Sequence, residues 1–573
     1  MESIAKRIFT GSIQEEDIFP FPYLNEEEAQ LGMELADAID KYASKNIKSA
    51  TIDEESLIPL EILKDLAQMG LMGLAVNPEM GGLGLNYSLY ARIFSQVCYW
   101  DPAIATTLGA HQSIGYRALL NEGNDQQKEK YLPKLASGEM IAAFCLTEPG
   151  CGSDAHSIKT IAIENSDGSF TLTGQKIWIT NAKLADFYTV FCKVNDKITA
   201  LIVEKSYPGI SFGEKEKKLG IRGSETRAVF FDKVIVPKEN LIGKIGDGFK
   251  ICLNVLNSGR LSLGSGTVGG MKKILELVTD HATTRKQFNK SINEFGLIQE
   301  KIAYITSMIY SCESLVYFVT GHIQSGMKDY AMESAICKIY GSECLWKAVD
   351  MGLQIAAGVG YMREYPYERL LRDSRINLIF EGTNEILRVL VALTGCKIPG
   401  ENLQKLGKLV DINETLNDPK KTFALLSDFA FKRIESIIPP KSMEKTHPQL
   451  KEKMTECVQL IKEFSVKVEN ILLKEGKKII EKEFIHKRFA NMSIQLMVML
   501  SVISRTSALL YSKDVSVELK ELSLQTSYLS LEEAKNECKK NFKELEKNMD
   551  SSIIKISDQI CNLKTYPFDI LKG

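Results

Sequence analysis

One glutamate stands in a setting that suits acid–base chemistry. Glu381 follows the apolar run Leu378–Phe380 and precedes a Gly-Thr-Asn turn that leads into an apolar, helix-like segment. Apolar neighbours exclude water from a carboxylate and raise its pKa, which suits a general base that works near neutral pH. Gly382 lets the backbone pass close to a ligand, and Thr383 or Asn384 can cap the helix that follows. Taken alone, the stretch also fits an ordinary helix N-terminus with an acidic residue near its dipole.

Three other stretches combine glycine, hydroxyl, aromatic and basic residues at short spacing. They read FCLTEPGCGSDA (144–155), GQKIWITNA (174–182) and TTRKQFNKSINEFGLIQEKIA (283–303). Each has an ordinary interpretation by itself: a glycine-rich turn, a strand with Trp178 in the core, and a helix on which Arg285 is solvated. Only the combination of these stretches with the Glu381 turn favours a functional site.

Composition favours a large soluble protein with several domains. The chain has 573 residues, of which 44% are hydrophobic and 25% are charged, and its net charge of -2 gives no indication of nucleic acid binding. The 12 cysteines include no CxxC pair, so we expect a reduced compartment and no metal site. Met492–Tyr511, the most apolar long segment, is interrupted by polar residues and is predicted to be a buried helix. The first residues, MESIAKRIFTGSIQEEDIF, carry acids early and do not look like a transit peptide.

The hydrophobic pattern changes along the chain and predicts its domains. Residues 1–24 are predicted to form an irregular leader because they hold two closely spaced prolines. Helical spacing covers residues 25–140, and short strand-like runs cover 141–245, which predicts an antiparallel β domain. Helical spacing returns over 246–400 and continues through an additional segment, 401–573.

The additional segment is predicted to be a helical domain preceded by a linker. Prolines near residues 437–449 predict a flexible linker there. Beyond it, Lys/Glu-rich amphipathic stretches over 450–478, 481–511 and 515–549 predict helices with solvated charged faces.

In their order and spacing, the four stretches resemble the acyl-CoA dehydrogenase family of flavoproteins, and the resemblance covers essentially the whole chain. IFTGSIQEEDIFPFP, TLGAHQSIG, EKYLPKLASGE and RVLVALTGC are most similar to its very-long-chain branch and to a sibling involved in respiratory complex I assembly. The resemblance implies a mostly α fold with a central antiparallel β domain. A helical N-terminal domain, a middle β-barrel and a helical C-terminal bundle would be followed by the extra helical domain.

The resemblance also implies a reaction. A fatty acyl-CoA would be dehydrogenated to the trans-2-enoyl-CoA in fatty acid β-oxidation, with FAD as cofactor and an electron-transfer flavoprotein as electron acceptor. Glu381 would take the proton beside the thioester carbonyl, and its backbone N–H would help to hold the carbonyl oxygen. Some relatives place the base on a helix of the C-terminal domain, but the corresponding position in LNSGRL is Gly259, which cannot act as a base.

The cofactor residues follow from the same resemblance. FAD would bridge the two subunits of a homodimer. Residues implied around the flavin are Phe144, Leu146, Thr147, Gly152 and Ser153 on one side and Trp178, Ile179 and Thr180 on the other. Residues implied to hold the pyrophosphate and adenosine parts are Arg285, Phe288, Gln299, Gln354, Gly358, Thr383 and Asn384.

The implied substrate residues point to long acyl chains. Ser153, Asn257, Arg260 and Gly382 match positions that contact the substrate or its CoA part. The small residues Ala105 and Gly109, in DPAIATTLGAHQSIG, stand near positions where medium-chain relatives close the pocket floor. A deeper tunnel would bury further methylene groups at about 0.8 kcal/mol each, so we expect long to very-long acyl chains.

Two other functions share the same motifs. A dehydrogenase-like assembly factor for complex I would keep the glutamate and flavin residues, and an acyl-CoA oxidase would use the same chemistry with O₂ as acceptor. By resemblance, we expect a mitochondrial location on the matrix face of the inner membrane. The extra domain could contact that membrane through a basic cluster, Lys474, Lys477, Lys478 and Lys482, although acids are interleaved with it.

Overall fold

The computed structural model describes residues 2–409 and 443–572. They fall into two compact units. The first consists of residues 2–3, Glu15–Leu387 and Ser501–Ser530, and the second of Ile4–Gln14 and the described residues within 388–500 and 531–572. Of the predicted linker near 437–449, residues 437–442 lie outside the described residues.

Helices fill the chain before the sheet, as predicted. Asn25 caps the second helix with a capping box. The Asn25 side chain accepts a hydrogen bond from the Glu28 backbone N–H, and the Glu28 side chain accepts one from the Asn25 backbone N–H. A π-helical segment, Ala110–Gly115, interrupts the series. The helices are α1 (Ile4–Thr10), α2 (Glu26–Asn46), α3 (Ser49–Glu55), α4 (Leu60–Gln68), α5 (Tyr87–Trp100), α6 (Pro102–Gly109), α7 (Arg117–Glu122) and α8 (Asp125–Ala136).

The middle of the first unit is a mostly antiparallel sheet. Its strands are β1 (Ala142–Cys145), β2 (Ile161–Glu164), β3 (Phe170–Thr180), β4 (Phe187–Val194), β5 (Lys197–Glu204), β6 (Ile210–Phe212), β7 (Thr226–Val236) and β8 (Leu241–Ile242). The order is β6-β7-β3-β2-β4-β5-β8, and β1 also pairs with β4. The predicted fold class is confirmed, but β4 pairs in parallel with β1 and, at one position, with β2. Parallel pairing is possible because the long connection through β2 and β3 returns the chain in the same direction.

Further helices follow the sheet, and α9 is the longest of those described. They are α9 (Gly248–Thr284), α10 (Gly296–Gln324), α11 (Ala331–Ala356), α12 (Gly358–Tyr361), α13 (Tyr367–Arg375) and α14 (Asn384–Leu409). A small hairpin, β9 (Lys286–Gln287) and β10 (Lys290–Ser291), separates α9 from α10. α9 packs against α11, α5 and α10, so it forms the spine of the first unit.

The second unit has a core to which the N-terminus contributes. It contains α15 (Lys451–Glu475), α18 (Asp550–Leu563) and parts of α16 (Glu483–Tyr511) and α17 (Val517–Glu546). Helices α15, α16 and α17 confirm the three amphipathic predictions. Phe9 of α1 lies edge-on to Phe464, with ring centroids 4.9 Å apart, and Phe464 lies 5.9 Å from Phe489. The prediction of an irregular leader over residues 1–24 is therefore wrong for α1, where the spacing of Ile4, Ala5, Ile8 and Phe9 buries one helix face.

Within residues 2–409 and 443–572, two helices are long and apolar enough to cross a membrane by composition alone. These are α10 and α16, and 61% and 72% of their most apolar windows are buried within the protein. Burial of this extent fits core helices, which agrees with the interpretation of residues 492–511.

Candidate active site

Glu381 lies in a turn of unusual backbone conformation. A 3₁₀ turn, Ile376–Leu378, ends α13, and the chain then passes through Glu381 with φ 59° and Gly382 with φ 90° before α14 begins. The backbone N–H of Ile386 donates to Thr383 Oγ1 over 3.3 Å, which confirms Thr383 as the helix cap. A left-handed conformation costs a residue with a side chain about 1–3 kcal/mol, and such strain concentrates at functional sites.

Two buried cations hold this turn by its backbone. Arg260 Nε donates to the carbonyl oxygen of Glu381 over 3.1 Å. Lys338 Nζ donates to the carbonyl oxygen of Gly382 over 2.9 Å and to Asn384 Oδ1 over 2.7 Å. The Asn384 amide in turn donates to Ser342 Oγ on α11 over 3.0 Å. The carbonyl groups of Glu381 and Gly382 are thus fixed, while the Glu381 side chain takes no part in holding the turn.

The Glu381 carboxylate is desolvated and incompletely bonded. Its Oε2 is buried and accepts no hydrogen bond from any described residue, and its backbone N–H donates to none. Burial raises the pKa of Glu381 to about 7, and the charges of Arg260 and Lys338 oppose that rise. Burial likewise lowers the pKa of Lys338 to about 7. A carboxylate with this proton affinity can both accept and release a proton near neutral pH.

Glu381 faces an apolar cavity together with a glycine on α9. The cavity holds about 920 Å³ of atom-free space, its mouth included. A Cβ placed on Gly259 would lie 2.6 Å from Glu381 Oε2 and 2.8 Å from Ile114 Cγ2, so glycine leaves room for the carboxylate. Glu381 and Gly259, the two positions at which the family resemblance places the base, are therefore direct neighbours.

The cavity runs along a face of small residues on α9 that the sequence interpretation missed. Ser262, Gly266 and Gly270 line it beyond Gly259. A Cβ on Gly266 would come within 2.6 Å of Cys98 Sγ, so glycine at this position allows Cys98 of α5 to approach α9 closely at the cavity wall. The signal was present as NSGRLSLGSGTVGG, because glycines inside a long helix indicate a close approach or a space.

Ala105 and Gly109 are brought to the same cavity. Both line it from α6, whose N-terminus is capped by the Asp101 carboxylate through the Ala103 and Ile104 N–H groups. A Cβ on Gly109 would lie 3.1 Å from Phe94 Cζ. The structure thus joins the two small residues and Glu381 in one continuous space.

Two of the predicted flavin segments lie side by side. The Ile177 N–H donates to the Thr147 carbonyl oxygen over 2.9 Å, and the buried Lys176 Nζ bonds both the Leu146 carbonyl oxygen and Glu148 Oε1, at 2.9 and 2.8 Å. No motif in the sequence indicated this buried ion pair. It fixes residues 144–148 to strand β3.

The strand at 178–180 divides its side chains between two faces. Trp178 is 64% exposed and has φ 55°, and Thr180 lines the Glu381 cavity. Ile179 points the other way and is buried in the core of the sheet, so only its backbone faces the side of Trp178. An exposed indole beside a hydroxyl, with Phe144 and Leu146 half-buried in the neighbouring segment, fits a site for a flat ring system.

The remaining predicted residues divide into three groups. Gly152 and Ser153 are exposed in the loop that follows the Glu148–Cys151 bridge. Asn257 and Arg260 are buried and bond each other over 3.1 Å, which gives them a role in the Glu381 turn that the sequence did not indicate. The third group is exposed and does not line the cavity: Arg285, Phe288, Gln299, Gln354 and Gly358.

Phe288 is the clearest member of that third group. It is 89% exposed at the tip of the β9–β10 hairpin, where it and Asn289 both have positive φ. A tight hairpin that presents a phenylalanine to solvent is typical of a surface that another molecule covers.

Four family models match consecutive parts of the chain. Three describe acyl-CoA dehydrogenase domains: the N-terminal domain over residues 28–139, the middle domain over 143–234 and the C-terminal domain over 246–394. The fourth, described as "ACAD9/ACADV, C-terminal domain", covers residues 448–566.

Relatives and solved structures agree with these matches. The very long-chain specific mitochondrial acyl-CoA dehydrogenases of Rattus norvegicus and Homo sapiens are each 42% identical over 522 residues, which cover 88% of this chain and 79% of theirs. A crystal structure of an acyl-CoA dehydrogenase from Bacillus anthracis complexed with FAD has a TM-score of 0.80 and 32% identity, covering 100% of this chain and 97% of that one. Butyryl-CoA dehydrogenase from Megasphaera elsdenii has a TM-score of 0.62 and 33% identity over 65% of this chain and 99% of its own. The chain therefore belongs to the acyl-CoA dehydrogenase family of FAD-dependent oxidoreductases.

Proposed function

We propose that this protein dehydrogenates long- and very-long-chain fatty acyl-CoA thioesters to trans-2-enoyl-CoA in β-oxidation, with Glu381 as the general base. One observation carries the proposal: the buried Glu381 Oε2 has no partner among the described residues and faces a deep apolar cavity. The carboxylate takes the proton beside the carbonyl. The free Glu381 N–H is placed on the same turn to donate to the thioester oxygen as charge grows there. Bound FAD supplies the acceptor for the hydride that leaves the neighbouring carbon.

The residues around the proposed flavin site have separate tasks. Trp178 and Thr180 would hold the flavin ring on one side, and Phe144, Leu146 and Thr147 would hold it on the other, with Gly152 and Ser153 in the loop nearby. Water is excluded by the apolar cavity wall, which strengthens every electrostatic interaction at the reacting atoms. The Lys176–Glu148 pair keeps the two flavin segments together.

The remote part of FAD is assigned to a subunit interface. We assign Arg285, Phe288, Gln299, Gln354 and Gly358 to the FAD of a second subunit because all five are exposed and outside the cavity of their own chain. Thr383 and Asn384 approach the adenosine side through their backbone, since the Asn384 side chain is buried against α11. An Arg285→Ala homodimer should release FAD on gel filtration while the exposed control Arg363→Ala retains it. Equal retention by both variants would remove Arg285 from the site.

The depth of the cavity supports the substrate length. Ala105, Gly109 and the small residues of α9 leave space along the helix beyond Glu381. Gly382 keeps the turn open to the thioester, and Asn257 and Arg260 are assigned to the CoA end.

An anaerobic titration tests the chemistry and the length together. The yellow protein should bleach on addition of palmitoyl-CoA, and the rate should exceed that for butyryl-CoA. A rate that is highest for the C4 substrate would contradict the length assignment, and the absence of bleaching with every chain would contradict the reaction.

The partners and location follow from the family and from one surface. We propose reoxidation by an electron-transfer flavoprotein and a mitochondrial location on the matrix face of the inner membrane. The turn after α15 exposes Lys474, Lys477, Lys478 and Lys482 beside Leu473 and Ile480, which are 56% and 64% exposed. Mixed cationic and apolar exposure suits an anionic membrane surface. Sedimentation with cardiolipin-containing vesicles should be lost in a Leu473→Ser/Ile480→Ser variant, and unchanged sedimentation would argue against this turn.

A further inference from the structure

A second cavity lies beside the one that Glu381 faces, and nine of the 14 described residues that line it have polar side chains. It holds about 770 Å³ of atom-free space, its mouth included, between α5, α7 and α9. Apolar atoms form most of the wall, and its polar part includes the hydroxyl groups of Tyr87, Tyr90, Ser258 and Ser265. Arg117 is the one charged side chain among the described residues that line it, and none of those residues is acidic. We refer to this space as the Arg117 chamber.

The guanidinium of Arg117 is buried without a counter-charge. Arg117 is 8% exposed, its Nε donates to Ser258 Oγ and its Nη2 donates to Tyr87 Oη, both over 3.2 Å. None of the ion pairs formed by the described residues includes Arg117. Burial raises the pKa of the Tyr90 phenol, so that hydroxyl is neutral and does not compensate the charge. A buried cation without an anion is costly, and hydroxyl partners satisfy its N–H groups but not its charge.

The Arg117 chamber shares a wall with the apolar cavity. Ser113 and Ser262 line both spaces. Tyr90 Oη lies 2.7 Å from Ser113 Oγ and 3.4 Å from Ser262 Oγ, so the shared wall is a layer of hydroxyl groups. Ser262 stands three residues beyond Gly259 on α9, which is about 4.5 Å further along the helix than the glycine that faces the Glu381 carboxylate.

A single ligand with a carboxylate group would satisfy these features of the Arg117 chamber. The guanidinium has a forked donor geometry that matches a carboxylate, and the hydroxyl groups around it can bond the remaining lone pairs. The ligand must carry an anionic group to balance the charge of Arg117. That group must also be small enough to pass the layer of hydroxyl groups between the two cavities. An acyl chain in the apolar cavity runs alongside that layer.

We propose that the Arg117 chamber binds the free carboxylate of an acyl thioester that carries a second carboxyl group. This inference rests on the proposed function, since it assigns the apolar cavity to the acyl chain. It widens the substrate class from methyl-terminated chains to dicarboxylic monothioesters, whose far carboxylate pairs with Arg117.

The test compares paired substrates in matched variants of the holoenzyme. Methyl-terminated and ω-carboxyl acyl-CoA esters of 6 to 16 carbons are assayed with the wild type, Arg117→Met, Arg117→Lys and Arg92→Met. Arg92 lies on α5 and lines neither cavity, so its variant controls for loss of a positive charge nearby. A hydrogen bond to a charged group implies that Arg117→Met lowers kcat/KM for at least one ω-carboxyl length by about tenfold to a hundredfold. The methyl-terminated partner should change by less than about threefold, and Arg117→Lys should restore part of the loss.

Each outcome separates the inference from its alternatives. If Arg117→Met changes kcat/KM equally for both substrate series, or for neither, the Arg117 chamber does not bind the second carboxylate. If Arg117→Met does not fold, Tyr87→Phe, which removes one partner of the guanidinium, must show the same selective loss in weaker form. Calorimetry with free glutarate and adipate distinguishes a site for free dicarboxylates from a site for the far carboxylate of a thioester. Tight binding of the free dicarboxylates, without any selectivity for ω-carboxyl thioesters, overturns the proposal. Selective binding of ω-carboxyl thioesters without turnover of any thioester would instead contradict the proposed function.

Discussion

Replacing Glu381 with glutamine should abolish turnover and at the same time stabilise the folded protein at neutral pH. Burial raises the pKa of this side chain from about 4.5 to about 7. Each tenfold change in proton affinity corresponds to about 1.4 kcal/mol, so the ionised carboxylate costs the folded state about 3 kcal/mol. Because the folded-state pKa is the higher one, this cost is absent below pH 4.5, grows between pH 4.5 and 7 and is complete above pH 7. Glutamine has the same shape and is neutral at every pH, so it removes the cost.

Two measurements on Glu381→Gln check this reasoning. The unfolding temperature of the variant should exceed that of the wild type by several degrees at pH 8 and by little at pH 5. Turnover of palmitoyl-CoA should fall by at least about a hundredfold, since the proton acceptor is lost. Glu385→Gln is the matched control because Glu385 is exposed in the first turn of α14. That variant should keep its activity and lose a few tenths of a kcal/mol through the helix dipole.

The result that refutes the argument is a change in stability that does not depend on pH. If Glu381→Gln raises or lowers the unfolding temperature equally at pH 5 and pH 8, the carboxylate is not desolvated in the folded protein. If turnover survives, the base lies elsewhere.

Three further variants probe the surroundings of the same carboxylate. Lys338→Met removes a positive charge that opposes the rise of the Glu381 pKa, so the acidic limb of kcat/KM should move to higher pH; an unmoved limb would mean that Lys338 is uncharged there. Gly259→Ala places a Cβ 2.6 Å from Glu381 Oε2 and should lower the rate of flavin bleaching by about a hundredfold, as a misplacement of about 1 Å does, with normal FAD content; unchanged bleaching would show that the carboxylate points away. Gly266→Ala narrows the cavity beside Cys98, and each methylene group that it excludes costs about 0.8 kcal/mol. The ratio of kcat/KM for palmitoyl-CoA to that for butyryl-CoA should therefore fall about fourfold or more, and an unchanged ratio would place the acyl chain elsewhere.

Local periodicity was sufficient for most helices but not for the first. The three amphipathic stretches of the extra domain became α15, α16 and α17 because a long apolar stripe predicts a helix whatever its partner is. Helix α1 has only seven residues, and such a short helix is stable only when it is packed. Its partners, Phe464 and Phe489, come from the far end of the chain, so a local pattern could not reveal them.

The candidate site was predictable in its main residue and not in its supports. The apolar run before Glu381 indicated desolvation, and in the structure Glu381 lines an apolar cavity, where burial raises the pKa of its carboxylate. Lys338 could not be found, because one lysine within the helical sequence AICKIYGSECLW gives no indication that it will be buried. Its significance depends on which turn its helix face meets.

The supports also explain how Glu381 keeps a high proton affinity between two cations. A lysine or arginine bonded directly to a carboxylate normally lowers its pKa well below the usual range. Here Arg260 Nε and Lys338 Nζ donate instead to the carbonyl oxygens of Glu381 and Gly382. Their charges act on the carboxylate only through space, and burial outweighs them. The cations thus hold the backbone of the turn rigidly, and the carboxylate oxygen that faces Gly259 remains free to take a proton.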